Sequence, residues 1–194
     1  MKKDNRGFTL IELVICMVIF SIVVASVFGF ILASSRSYST ITNRLNLELD
    51  SQLAMNQLEN YIMDCNTNLY YSANPTTSTN TLFVINKGST DTKYDVHIFQ
   101  FTGGRINYGF GEDAATLNNG TYTNSAAAVT DQLADSVTAF SVRYFGTDGT
   151  EITTDNGSRA ASVTITVELT RNSVPFRGTK TIALRNKPTI SIVQ

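Results

Sequence analysis

The hydrophobic pattern divides the chain into three regimes. From Leu13 to Ser35 no residue carries a charge, and most positions are apolar. The hydrocarbon core of a bilayer is about 30 Å thick and is crossed by roughly 20 helical residues, so this run is long enough to span. Past Ala33 the pattern becomes amphipathic. Residues 36–65 contain no Gly or Pro, and apolar residues recur at Ile41, Leu45, Leu49 and Leu53, then at Met55, Leu58 and Ile62. These are the three- and four-residue steps of a helix. The two sets fall on different faces, which suits a helix with a globular domain on one side and a second apolar contact on another. The pattern predicts one helix from about Phe8 to Asp64. Gly29 is its weak point, at a cost of about 1 kcal/mol relative to alanine. Local melting there and close packing against a neighbouring helix are both consistent with it.

The third regime has period two. Asn66 to Asn80, a Thr/Ser/Asn stretch around Asn74-Pro75, reads as a loop. Thr81 to Ile85 reads as a short strand. Tyr94 to Phe101 and Arg105 to Phe110 flank Gly103-Gly104, a hairpin signal. Residues 111–132 are small and polar and read as an irregular insertion. Val137 to Phe145 and Glu151 to Thr154 flank Asp148-Gly149, a second hairpin. Ser162 to Leu169 alternates, with Val163, Ile165, Val167 and Leu169 on one face. Thr179 to Leu184 is a further strand, and the tail Thr189 to Val193 alternates again, as a strand pairing with a sheet edge would. The expected fold is α+β: a long N-terminal helix, apolar then amphipathic, packed on a mainly antiparallel sheet.

One residue breaks the apolar pattern. Glu12 is a carboxylate inside the hydrophobic segment, where a charge costs about 2.5 kcal/mol or more unless it finds a partner. Before it stands a short, mostly basic head, Met1-Lys2-Lys3-Asp4-Asn5-Arg6-Gly7. A secretory signal peptide also opens with a basic region, but this apolar run is too long for one and no small-residue cleavage site ends it. The stretch Gly7-Phe8-Thr9-Leu10-Ile11-Glu12 resembles the cleavage and N-methylation motif of type IV prepilins and pseudopilins. The resemblance implies that a membrane peptidase cuts after Gly7 and methylates the new amino terminus at Phe8. It implies that Glu12 is the assembly glutamate. It also implies a division into a leader 1–7, a membrane or filament-core half of the helix at 8–35, an amphipathic half at 36–65, and a β-rich head at 66–194.

The role of Glu12 also follows from charge alone. An α-amino group at Phe8 would be largely cationic at neutral pH. If Phe8 of one subunit approached Glu12 of its neighbour, each charge would offset the desolvation of the other. A subunit out of register would leave both unpaired.

The order of elements in the head, with Arg185-Asn186 after a late strand, is similar to the J-type minor pseudopilins of type II secretion and equally to the W-type minor pilins of type IV pili. The large C-terminal disulfide loop of many major pilins is missing. On this resemblance the protein is a structural minor subunit that helps prime or cap a filament, with other pilin subunits and the prepilin peptidase as partners. It would reside as a single-pass protein of the inner or cytoplasmic membrane before assembly. Afterwards it would stand in a cell-surface pilus or in a periplasmic or cell-wall pseudopilus. The alternative is a filament-borne binding module, an adhesin or a receptor for DNA or an exported substrate, with 111–132 as its contact surface.

Charge and chemistry narrow this picture further. The chain has 15 basic and 16 acidic residues, net charge −1. Loss of Lys2, Lys3, Arg6 and Asp4 with the leader would leave 12 and 15. A mildly acidic chain without a basic run argues against a dedicated nucleic-acid binder, though not against a few local contacts. Cys16 and Cys65 are the two cysteines. On one continuous helix they would lie about 73 Å apart, far beyond the roughly 7 Å a disulfide allows between Cα atoms. The single histidine, His97, sits in a strand between Val96 and Ile98, with no zinc-ligand partners at suitable spacing. Gly109-Phe110-Gly111 lacks the strand-to-helix context of a dinucleotide fingerprint, and no Gly-x-Ser-x-Gly elbow occurs. Neither an enzyme nor a cofactor is expected. Asp148, Glu151, Asp155 and Asn156 fall close together among turn glycines and are candidate calcium ligands. The same residues suit tight turns with positive φ.

Overall fold

The structure is a computed structural model, and it describes residues 9–74, 79–118, 121–124, 129–153 and 159–193. The chain separates between Thr42 and Asn43 into two compact units.

The first unit holds the start of helix α1 (Leu10–Met63). Thr9 stands just before the helix and Glu12 lies in its first turn. Every side chain from Leu10 to Thr40 is exposed, including Phe20, Phe28 and Phe30. Water does not tolerate such a surface, so this part of α1 is built to be covered by lipid or by other helices. Among the described residues α1 is the one helix long and apolar enough to cross a membrane.

The second unit contains the C-terminal part of α1 and, among the described residues, eleven strands. α1 buries Leu47, Ser51, Ala54, Met55, Leu58 and Ile62, again at three- and four-residue steps. The second apolar set read from the sequence is therefore the core face. Leu45, Leu49 and Leu53 are more than half exposed and form a separate stripe.

The strands form two sheets. The larger is built from β1 (Asn68–Asn74), β2 (Thr79–Lys87), β3 (Lys93–Thr102), β4 (Arg105–Asn118), β5 (Thr121–Asn124), β6 (Val129–Ala134) and β11 (Thr189–Val193). Its order is β11-β1-β2-β3-β4-β5, with β6 also paired to β4. All its pairings are antiparallel except β1 with β11. The smaller sheet has the order β10-β9-β7-β8, from β7 (Val137–Phe145), β8 (Glu151–Ile152), β9 (Ser162–Arg171) and β10 (Val174–Ala183). Leu82, Val84 and Phe99 of the larger sheet and Phe140, Tyr144, Ile165 and Val167 of the smaller share one core with the buried face of α1.

Two segments and the sheet count differ from the sequence reading. Residues 66–80 were expected to be a loop, yet β1 and the start of β2 lie there. Leu69, Tyr71 and the partly buried Ala73 give β1 a short inward apolar alternation, and pairing on both sides holds the rest. Asn68 helps fix the parallel edge by donating from Nδ2 to Thr189 Oγ1 at 3.0 Å and Ser191 Oγ at 3.3 Å. Residues 111–132 were expected to be irregular, but β4 runs on to Asn118, and β5 and β6 pair with it. In that region tertiary pairing overrides low β-propensity. Third, the head has two sheets where a single one was expected.

Both glycine hairpins form where they were read. Gly103 and Gly104, at φ +57° and +76°, close a two-residue turn in which Thr102 pairs with Arg105. Gly149, at φ +78°, closes the turn between β7 and β8. Polar ties hold α1 to the smaller sheet. Lys180 Nζ donates to Glu59 at 2.5 Å and to Asn56 Oδ1 at 3.0 Å. Arg171 bonds to Asp135 and reaches Asp50 at 3.3 Å. At Gly178 the strand comes so near the helix that a Cβ would collide with Ser51 Oγ.

Candidate functional site

The N-terminal motif is described from Thr9 onward; Gly7 and Phe8 lie outside the described residues. Thr9 precedes the first helical residue and Glu12 is the third residue of the helix. The Glu12 carboxylate accepts from the Thr9 backbone N–H at 3.0 Å and from Thr9 Oγ1 at 2.9 Å. In return the Glu12 N–H donates to Thr9 Oγ1 at 3.4 Å. This is a capping box, in which two backbone donors that the helix start would leave unpaired are satisfied reciprocally. Glu12 is thus both a charge and part of the device that starts the helix. The signal for the second role, Thr-x-x-Glu ahead of an apolar run, stands in the sequence and was not read from it. Glu12 remains exposed, so a carboxylate with unused acceptor capacity faces the helix surroundings.

The candidate calcium ligands are not gathered into a site among the described residues. Asp148 Oδ1 accepts from the Thr150 backbone N–H at 3.1 Å and from Thr150 Oγ1 at 2.7 Å, and these bonds lower its pKa. Glu151 pairs with Arg143, with Arg143 Nε at 2.7 Å, and that pairing holds its carboxyl below the usual range. Both carboxylates have local hairpin partners. Asp155 and Asn156 lie outside the described residues. No group of three His, Cys, Asp or Glu suited to a metal occurs among the described residues.

The two cysteines are free. Cys65 is fully buried, with Sγ toward the carbonyls of Asn68 at 3.4 Å and Ile85 at 3.6 Å. Burial pushes its thiol up to about 12, so it is unreactive at neutral pH. His97 is half-buried, and its Nδ1 shares a hydrogen bond with the Tyr108 hydroxyl at 2.9 Å. Burial pulls its pKa down, and Asp95 opposes that shift. Tyr61 lies against the His97 ring with centroids 4.3 Å apart, and Phe110 lies 4.8 Å away. The sequence reading had no signal for this aromatic group, because Tyr61 comes from α1 while the others come from β3 and β4.

Residues 2–28 match the family model of the prokaryotic N-terminal methylation motif. Comparison of the chain with curated proteins gave no match. The motif, with the exposed apolar helix that follows it, supports a processed, membrane-anchored protein of the type IV pilin or pseudopilin kind.

Proposed function

We propose that this protein is a minor structural subunit of a type IV pilus-like filament. The observation that carries the reading is the uncovered apolar surface of α1 directly behind a methylation motif. Leu10, Phe20, Phe28 and Phe30 are between 62 and 84% exposed. At about 25 cal/mol per Å² of apolar surface, such a helix strongly favours lipid, and then a bundle of equivalent helices, over water.

On this reading cleavage after Gly7 creates the Phe8 amino terminus and methylation leaves it cationic. The helix waits in the membrane, with Glu12 held by its capping box. During assembly Glu12 of one subunit pairs with the Phe8 terminus of a neighbour, which excludes packings displaced along the helix. The exposed stripe Leu45, Leu49 and Leu53 would lie against neighbouring subunits while the opposite face keeps the head attached.

Intact-mass measurement of the protein from cells containing the prepilin peptidase tests the proposal. The expected product begins at methylated Phe8. A mature chain that keeps Met1 to Gly7, or begins beyond Ala33, overturns it. Gly7→Ala should slow cleavage modestly and a bulky residue there should block it, because the peptidase must approach that backbone closely.

A further inference from the structure

Between the C-terminal part of α1 and the outer strand β6 lies an open cleft of about 550 Å³, within the range of about 300–1,000 Å³ typical of small-ligand sites. α1 contributes Gln57, Asn60 and Tyr61, and β4 contributes Tyr108. Asp131, Gln132 and Leu133 of β6 form the far wall.

That wall is unusual for a strand. Successive residues of a regular strand point to opposite faces, yet three consecutive residues of β6 line one cleft. The pairing explains it. Ile106 pairs with Ala134 but Asn107 with Gln132, and Tyr108 pairs with Asp131 but Gly109 with Val129. Leu133 and Thr130 are therefore extra residues, one on each side of Asp131-Gln132. Bulges of this kind re-aim side chains at sheet edges and beside binding sites.

The lining has a definite chemistry. Tyr61 and Tyr108 stack with centroids 5.2 Å apart and planes inclined by 19°. The Tyr108 hydroxyl shares a hydrogen bond with His97 Nδ1 at 2.9 Å, and the Tyr61 ring lies against both Tyr108 and His97, which holds the two phenols in place. Together with Leu133 they make a rigid, weakly polar floor. The rim carries three side-chain amides, Gln57, Asn60 and Gln132, and one carboxylate, Asp131, all exposed. Amides donate and accept at once, and a carboxylate accepts from two neighbouring hydroxyls. Among the described residues no Lys or Arg lines the cleft, and Asp131 repels anions, so phosphate and nucleic acid are disfavoured. One carboxylate is too few for a calcium site.

We propose that this cleft binds a neutral saccharide, whose C–H face rests on the Tyr61–Tyr108 floor and whose hydroxyls bond the Gln57, Asn60, Asp131 and Gln132 side chains. The proposal does not depend on the filament reading, because it concerns the isolated head cleft and not processing or assembly.

The test uses the full chain in an amine-oxide detergent, which carries no sugar headgroup. Saturation-transfer NMR is recorded with methyl β-galactoside, methyl β-glucoside and N-acetylglucosamine, each at about 10 mM to reach millimolar affinities. At least one sugar should receive saturation. Gln132→Ala and Gln57→Ala change exposed side chains, and each should weaken binding by about tenfold. Asp131→Asn keeps a hydrogen-bonding group and should weaken it less than either. Thr164→Ala, on the smaller sheet, should leave it unchanged, and inorganic phosphate should not compete. Absence of saturation for all three sugars overturns the proposal. So does binding that survives Gln57→Ala and Gln132→Ala, or that phosphate displaces.

Discussion

The cap that Glu12 makes with Thr9 and the pairing role proposed for its charge can be separated by substitution. Glutamine supports a capping box as well as glutamate does, so Glu12→Gln should retain the Thr9 bonds and lose only the charge. Glu12→Leu loses both, and Thr9→Ala removes the cap while keeping the charge. If charge pairing sets the register, assembled relative to membrane-resident processed protein should fall sharply in Glu12→Gln and Glu12→Leu alike, and little in Thr9→Ala. Crosslinking or sheared-filament yields would measure that ratio. A normal yield for Glu12→Gln beside a collapsed yield for Thr9→Ala would assign the role of Glu12 to the cap. At the other end of the chain, Gly178→Ala should destabilise the head by about 1–2 kcal/mol, as overpacking does, because the added methyl meets Ser51 Oγ. Ser51→Ala removes that obstacle. In denaturant titrations the two substitutions together should therefore cost less than their sum. His97 supplies a pH dependence with a defined sign. Burial lowers its folded pKa below the ordinary value near 6.5, so the unfolded chain binds more protons as the pH falls. Stability should be complete above about pH 6.5 and decline as the pH drops through and below that value. Asp148 and Glu151, whose pKa values are lowered, should add their own loss only further down, below about pH 4.5. His97→Gln should flatten the denaturation midpoint between pH 7 and pH 5; an unchanged slope would remove His97 as its source.

At the scale of elements, legibility followed local signals. The helix was readable because its apolar steps are long and uninterrupted, and it ends within a residue or two of the expected bounds. The hairpins were readable because Gly103-Gly104 and Asp148-Gly149 encode their turns. β9 was readable because Val163, Ile165, Val167 and Leu169 alternate without a break, and all four are buried. What escaped depends on partners distant in sequence. β1 is polar at Asn68, Ser72 and Asn74, and becomes a strand because β2 and β11 pair on its two sides. The bulged edge β6 carries Thr130, Asp131 and Gln132, a run with no strand signature, and exists because β4 offers an edge. The N-terminal motif was legible because it is contiguous. The cleft was not, because its walls come from residues 57–61, 108 and 131–133.

For the molecule as a whole, the C-terminal part of α1 belongs energetically to the head. Leu47, Met55, Leu58 and Ile62 are at most 5% exposed. Full burial of such side chains is worth about 1.5–3 kcal/mol each, so the four together contribute about 6–12 kcal/mol. A whole domain has a net stability of about 5–15 kcal/mol. The sheets therefore have no margin to lose that face. A chain beginning at Ser35 keeps these four residues and discards the lipid-like run. It should be soluble and melt cooperatively. A chain beginning at Asn66 keeps every strand but exposes Val84, Phe99, Phe140 and Ile165, which now share a core with the helix. It should aggregate, since an apolar patch of that extent is not tolerated on a soluble monomer. Circular dichroism melts and gel filtration of the two chains give the comparison. Equivalent, monomeric and cooperative behaviour of both would mean that the helix contributes little to the core. The same measurement bears on assembly, because Leu45, Leu49 and Leu53 remain exposed in the longer chain. Replacing those three by Gln should leave its melting temperature nearly unchanged, since none is buried in the head. In the full-length protein the same replacement should reduce incorporation into filaments, and unchanged incorporation would show that this stripe does not face a neighbouring subunit.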